Sequence, residues 1–290
     1  MLEGCVSWPE EYAARYRELG LWRGELLGDI ARELATRDPE RIALVEGAQR
    51  ITYAQLDDRA QRLACALEEL GLRTSDRVVV GLSNSVAFVE LTLALFRLGA
   101  LPVFALPAHR RFELEHLCRR TRARALVVPD RQRAYDFREM AAEIQRAVPE
   151  LEHVLVAGEP GPFRALADLD ATPRPLPAPR SDDVAFFLLS GGTTGMPKLI
   201  PRTHDDYAYQ LRITADVVGA NSSAAYLAAL PVAHNAALGC PGLLGTLHAG
   251  GRVVLAQSPS PDEIFPLVER EQPTLTTLMP TFLRMWSETA

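Results

Sequence analysis

Cysteine is scarce: Cys5, Cys65, Cys118 and Cys240 are spread over 290 residues with no CxxC pair and no dense framework, so neither a zinc site nor a disulfide scaffold is expected. Metal is not expected from the histidines either, because His109, His116, His153, His204, His234 and His248 show no ligand spacing of the HExxH kind. Positive charge is also short. With 31 Lys and Arg against 37 Asp and Glu the net charge is −6, which argues against nucleic acid or an anionic membrane as partner, since both require clustered basic residues. Long apolar runs are missing as well: the longest, 91–107, is interrupted by Arg97, and the N-terminal MLEGCVSWPEEYAARYRELG mixes charges without an apolar centre. No signal peptide or membrane span is expected, and the location expected is a reducing cytoplasm.

What is present is enough apolar material, 48% of the residues, to bury a substantial core. Helix-like and strand-like segments alternate, which points to an α/β fold. Residues 52–70 place Leu56, Ala60, Leu63, Ala64 and Leu67 at helical spacing, with Gly71 as a stop, and 85–98 predicts a second helix. Strands are expected at 77–82, 101–106, 125–129, 154–157, 184–189, 225–230 and 252–256. Residues 171–180, ATPRPLPAPR, carry four prolines and can continue neither a helix nor a central strand, so a surface connector is expected there.

Directly after the apolar run 184–189 comes SGGTTGMPK, Ser190 to Lys198. Glycines allow close backbone approach, the hydroxyls donate hydrogen bonds and Lys198 adds a positive charge, a combination suited to a polyphosphate. The spacing excludes a Walker A loop, GxxxxGK[ST], because Met196 and Pro197 precede the lysine and Leu199 follows it.

The stretch LLSGGTTGMPKLIPRTHDDY resembles the signature loop of the adenylate-forming superfamily, which includes acyl-CoA ligases, luciferases and peptide-synthetase adenylation domains. PRTHDDY and LPVAHNAALGCPGLLG resemble its aryl-acid-activating branch, most of all the salicyl-AMP ligases of siderophore synthesis. TYAQLDDRAQRLACALEELGL and LTLALFRLGALPVFALP extend the similarity over nearly the whole chain. The resemblance implies an incomplete N-terminal lobe, 1–290, made of two helix-flanked sheets and a distorted β-barrel, without the small C-terminal lobe. It implies that Ser190, Gly191, Gly192, Thr193, Thr194, Gly195 and Lys198 surround the phosphates of ATP, and that Lys198 and His234 are catalytic. Mg²⁺ is implied too, with ligands beyond Ala290. The implied partners are salicylate or a related aryl acid and a carrier protein with a phosphopantetheine arm.

Within the same resemblance, His234, Asn235 and Cys240 bind the acid. Taken alone, a histidine beside small apolar residues reads as a structural or capping residue; the motif assigns it to the carboxylate and the AMP phosphate. Asn235 would meet a 2-hydroxyl, its neutrality disfavouring the α-ammonium of an amino acid. At position 240, relatives that accept 2,3-dihydroxybenzoate tend to carry serine, so Cys240 favours salicylate, while Ala236, where relatives often place an aromatic, widens the pocket. The alternatives are a 2,3-dihydroxybenzoate-AMP ligase and a non-catalytic binding module. Residues 1–290 alone are expected to be inactive in adenylation and prone to self-association.

Overall fold

The structure, a computed structural model, describes residues 4–132, 134–191 and 197–290. The chain divides into two compact units, each drawn from separated stretches of sequence. One comprises residues 1–29, 58–82 and 90–208; the other comprises 30–57, 83–89 and 209–290.

The first unit is built on a seven-stranded sheet. Its spatial order is Lys198–Thr203, Val184–Ser190, Leu101–Phe104, Arg77–Val80, Ala125–Pro129, His153–Ala157 and Arg164–Ala165. All neighbours are parallel except the edge pair Val184–Ser190 and Lys198–Thr203, which is an antiparallel hairpin. The buried Val/Ile/Leu-rich strands are what a parallel sheet requires when helices cover it. Helices Arg111–Thr121 and Phe137–Ala147 contribute Leu114, Leu117, Met140 and Ile144 to a core shared with Val79, Leu126 and Val156 of the strands. Residues 171–180, also in this unit, adopt neither helix nor strand and are mostly exposed.

The second unit holds a five-stranded sheet in the order Leu275–Thr276, Ala225–Ala228, Arg252–Leu255, Ile42–Glu46 and Gln49–Thr52. Ile42–Glu46 runs parallel to Arg252–Leu255 and antiparallel to Gln49–Thr52. Val45, Leu227 and Val254 meet Ile264 and Leu267 of helix Pro261–Glu271 in its core. The expected α/β class and helix-flanked sheets are thus present. The remaining strands among the described residues, Arg131–Gln132 and Tyr135–Asp136, form a ribbon; the barrel that the resemblance implies is not formed among these residues.

Candidate functional site

The glycine-rich stretch departs from a deeply anchored strand. In Val184–Ser190, Phe186 is wholly buried and packs its ring against Phe96, Phe104 and Tyr207, at centroid distances of 5.7, 5.5 and 4.7 Å. Phe187, on the opposite face of the strand, joins the Val79–Leu126 core. Burying rings of this size contributes roughly 2–3 kcal/mol each, which fixes the strand against sliding. Ser190 and Lys198 are directly paired across the hairpin, so both ends of the loop are held at one register position. Gly191 is exposed, and a Cβ built there meets nothing within 4 Å among the described residues, so packing against them does not demand glycine at that position. Gly192, Thr193, Thr194 and Gly195 lie outside the described residues.

Lys198 is exposed, and it is the only lysine in the chain; the other 30 of the 31 Lys and Arg residues are arginines. A lysine ammonium is a compact point charge, chemically distinct from the planar guanidinium used elsewhere. That solitary lysine was legible in the composition and is a signal the motif reading did not use.

The segment PRTHDDY closes the hairpin. Thr203 Oγ1 accepts from the Asp206 N–H at 3.2 Å while the Asp206 carboxylate accepts from the Thr203 N–H at 2.9 Å, a reciprocal cap for helix His204–Val218. Arg202 bonds the same carboxylate at 2.7 Å and lies over the Tyr207 ring. Asp205 is buried and accepts from Arg17, from the Gly24 N–H and from the Ser181 hydroxyl. His204, also buried, accepts the Leu27 N–H on Nδ1 at 3.2 Å, and burial pushes its imidazole down to about 4. These five consecutive residues, 202–206, are therefore engaged in holding the hairpin, the helix start and the segments around Arg17, Gly24, Leu27 and Ser181 together.

His234, Asn235 and Cys240 belong to the second unit. They flank one short helix, Asn235–Gly239, with His234 as N-cap and Cys240 as C-cap. His234 Nδ1 accepts from the Ala236 N–H at 3.3 Å, so the capping role is real. With Nδ1 accepting, Nε2 is the ring nitrogen that can donate, and the residue is exposed. The approach to this cap is fixed by Asn84, a buried side chain. Its Nδ2 lies 2.9–3.0 Å from the carbonyls of Ala228, Leu230 and Ala256, and its Oδ1 accepts from Val232 N–H at 2.8 Å.

Asn235 and Cys240 meet, with Nδ2 3.6 Å from Sγ. A residue that the sequence did not announce joins them: Gln210, whose Nε2 lies 2.9 Å from the Gly239 carbonyl and 3.4 Å from both Asn235 Oδ1 and Cys240 Sγ. Immediately beyond, Gly242 has φ +55°, and a Cβ there would lie 2.3 Å from the Ala237 carbonyl oxygen, so only glycine fits. The structure thus groups Asn235 and Cys240 with Gln210, and Ser190 with Lys198, in separate units.

No group of three or more His, Cys, Asp or Glu able to hold a metal occurs among the described residues. Nor is any helix among them long and apolar enough to cross a membrane.

Comparison with known proteins gives the chain its family. The chain is 50% identical over 290 residues to the 2,3-dihydroxybenzoate-AMP ligase of Bacillus subtilis, covering all of this chain and 54% of the relative. It is 42% identical over 295 residues to the salicyl-AMP ligase / salicyl-S-ArCP synthetase of Mycobacterium tuberculosis, covering 99% and 52%. The apo structure of Mycobacterium smegmatis MbtA superposes with a TM-score of 0.94 at 41% identity, over 99% of this chain and 54% of that one. The chain therefore spans about half the length of the relatives it matches, and its fold is that of their N-terminal lobe. Since residues 31–290 match the profile of the AMP-binding enzymes, the chain belongs to that family.

Proposed function

We propose that these residues are the N-terminal part of an enzyme that activates an aryl carboxylic acid, salicylate in preference to 2,3-dihydroxybenzoate. In the first step a carboxylate oxygen attacks the α-phosphorus of ATP, the new O–P bond forms, the bond to the β-phosphate oxygen breaks, and aryl-AMP and pyrophosphate result. In the second, the thiol of a carrier protein's phosphopantetheine arm attacks the acyl carbon and AMP leaves. The product is an aryl thioester for siderophore synthesis, and a cytoplasmic location goes with that role.

The observation that carries this reading is the pairing of Asn235 with Cys240 at the two ends of one short helix. An amide and a thiol supply neutral, directional contacts to a hydroxylated ring. Neither offers the carboxylate that a buried ammonium would need. His234 supports the same reading, because its cap leaves an Nε2–H donor for a carboxylate or phosphate oxygen. Lys198 and Ser190, paired at the base of the loop, would meet the departing pyrophosphate as its charge grows, together with Gly191. Gly192, Thr193, Thr194 and Gly195 take the same role on their sequence pattern alone. Mg²⁺ goes with ATP chemistry in this family; the described residues hold no group of three or more His, Cys, Asp or Glu to bind it.

The alternative acid, 2,3-dihydroxybenzoate, is favoured by the name of the 50% identical relative. Against it, a 3-hydroxyl set beside a weakly polar thiol loses about 1–3 kcal/mol of hydrogen bonding, roughly 5- to 150-fold in selectivity. ATP–pyrophosphate exchange in the complete enzyme, with both acids, decides between them. The wild type is expected to favour salicylate and Cys240→Ser to move toward 2,3-dihydroxybenzoate; a wild-type preference for the dihydroxy acid overturns the salicylate assignment.

A further inference from the structure

We propose that the first unit carries a binding site for a phosphate ester, separate from the grip of the glycine-rich loop on ATP: a cavity whose basic side chains take the phosphate and whose apolar side chains take an uncharged organic body. The site stands apart from the aryl-acid reading above.

The cavity measures about 560 Å³ and lies wholly within the first unit. Arg77, His116, Arg120, Arg122 and Lys198 line it, and no Asp or Glu does. In a chain of net charge −6 this is a local excess of the opposite sign. Other arginines of helix Arg111–Thr121 are paired, Arg119 with Glu115 at 3.0 Å and Arg111 with Glu143. Arg77, Arg120, Arg122 and Lys198 have no carboxylate within ion-pair distance among the described residues.

A structural use for such charges would be to close the negative end of that helix. Arg77 already does so. Its Nε donates to the Thr121 carbonyl at 2.6 Å, and its two terminal nitrogens donate to the carbonyls of Ser75 and Arg122, each at 3.0 Å. Because carbonyls are neutral, Arg77 keeps its positive charge while it caps. Arg120 and Arg122 are exposed and are not needed for the cap. Arg122 also sits at φ +49°, a left-handed position that glycine fills without strain. The strained backbone is retained there with a guanidinium on it.

Both kinds of lining define the ligand. A guanidinium offers forked donors that match phosphate oxygens, and a concave surface of one sign concentrates such anions. Cys5, Phe187, Leu199 and Pro201 also line the cavity, and the first three pack into the adjoining core. The volume is in the range of small organic ligands and exceeds what inorganic phosphate fills. A phosphate carrying an uncharged arm meets the guanidinium groups and the apolar side chains together.

The test titrates pantetheine 4′-phosphate, pantetheine and inorganic phosphate into the complete enzyme by calorimetry, with ATP saturating so that the loop is filled. Wild type is expected to bind the ester tightest, inorganic phosphate more weakly and pantetheine weakest. Arg120→Gln and Arg122→Gly are each expected to weaken the ester roughly tenfold, with KM for ATP unchanged. Arg122→Gly relieves the left-handed residue and should melt no lower than wild type, which separates lost binding from lost folding. Thioester formation tells the two sources of the ester apart. If the carrier protein's arm supplies it, the double variant raises KM for the carrier with pyrophosphate exchange unaltered; if a free ester does, KM for the carrier stays while the titration still fails. Wild-type affinity in both variants, equal affinity for ester and inorganic phosphate, or ester binding abolished by ATP overturns the inference and leaves the aryl-acid reading standing. An enzyme that binds the ester but activates no aryl acid overturns that reading alone.

Discussion

His204 shows how a motif residue can serve structure. It is 1% exposed, accepts a backbone N–H on Nδ1, and burial holds its imidazole near 4 despite the opposing pull of Asp183 and Asp205. In the unfolded chain the same ring titrates near 6.5. Between those values the unfolded state binds more protons than the folded one, so stability is full above about pH 6.5 and is lost as pH falls toward 4. Between pH 7.5 and 5 the loss is on the order of 2 kcal/mol from this group. Denaturant unfolding at the two pH values should show a steeper decline for wild type than for His204→Gln; parallel declines would remove His204 as the cause. At this scale the sequence revealed what is contiguous. Lys198 stands inside one motif, and Thr203 with Asp206 is a visible T-x-x-D cap. Gln210 was hidden because its partners, Asn235 and Cys240, come to it only through tertiary folding.

Elements were legible where apolar residues form a buried run. The strand expected at 125–129 is Ala125–Pro129, and 184–189 is Val184–Ser190. The helix expected at 52–70 is Tyr53–Glu69. The segments expected at 225–230 and 252–256 end earlier, at Ala228 and Leu255, because the chain beyond leaves the ladder for loops that contact Asn84. Lys198–Thr203 was not anticipated as a strand. It contains Pro201 and alternates exposed with half-buried positions, which is tolerated only because it is the sheet edge. The short helices Asn235–Gly239 and Gly242–His248 escaped for a related reason: they span too few residues to set up a period. Between them, Gly242 permits the turn. Gly242→Ala is expected to cost about 1–3 kcal/mol or more, from a left-handed side chain driven into the Ala237 carbonyl. Gly191→Ala, where space is open, should leave thermal unfolding nearly unchanged. Equal effects in a melting experiment would reject this distinction.

For the whole molecule, the α/β class could be read from alternation, but the division into two interleaved units could not, since it depends on pairings between distant stretches. The second unit leaves large apolar side chains in water: Val217 is 79% exposed on helix His204–Val218 and Leu283 is 59% exposed on helix Pro280–Thr289. Residues 1–290 alone are therefore expected to self-associate as concentration rises, and Val217→Lys with Leu283→Lys to reduce it. Light scattering would settle the point, and a wild type that stays monomeric throughout the range would contradict it. The same interleaving has a consequence in time. Strand Ile42–Glu46 takes its parallel neighbour from Arg252–Leu255, some two hundred residues downstream. At about 5–20 residues per second, a ribosome delivers that neighbour roughly 10–40 s after the first strand has emerged. During the wait Ala43, Leu44 and Val45, all fully buried in the finished protein, have only the hairpin mate Gln49–Thr52 to pair with. The nascent chain must keep an apolar strand edge from strangers until its own partner is made, which makes residues 42–52 the segment on which a chaperone would act first.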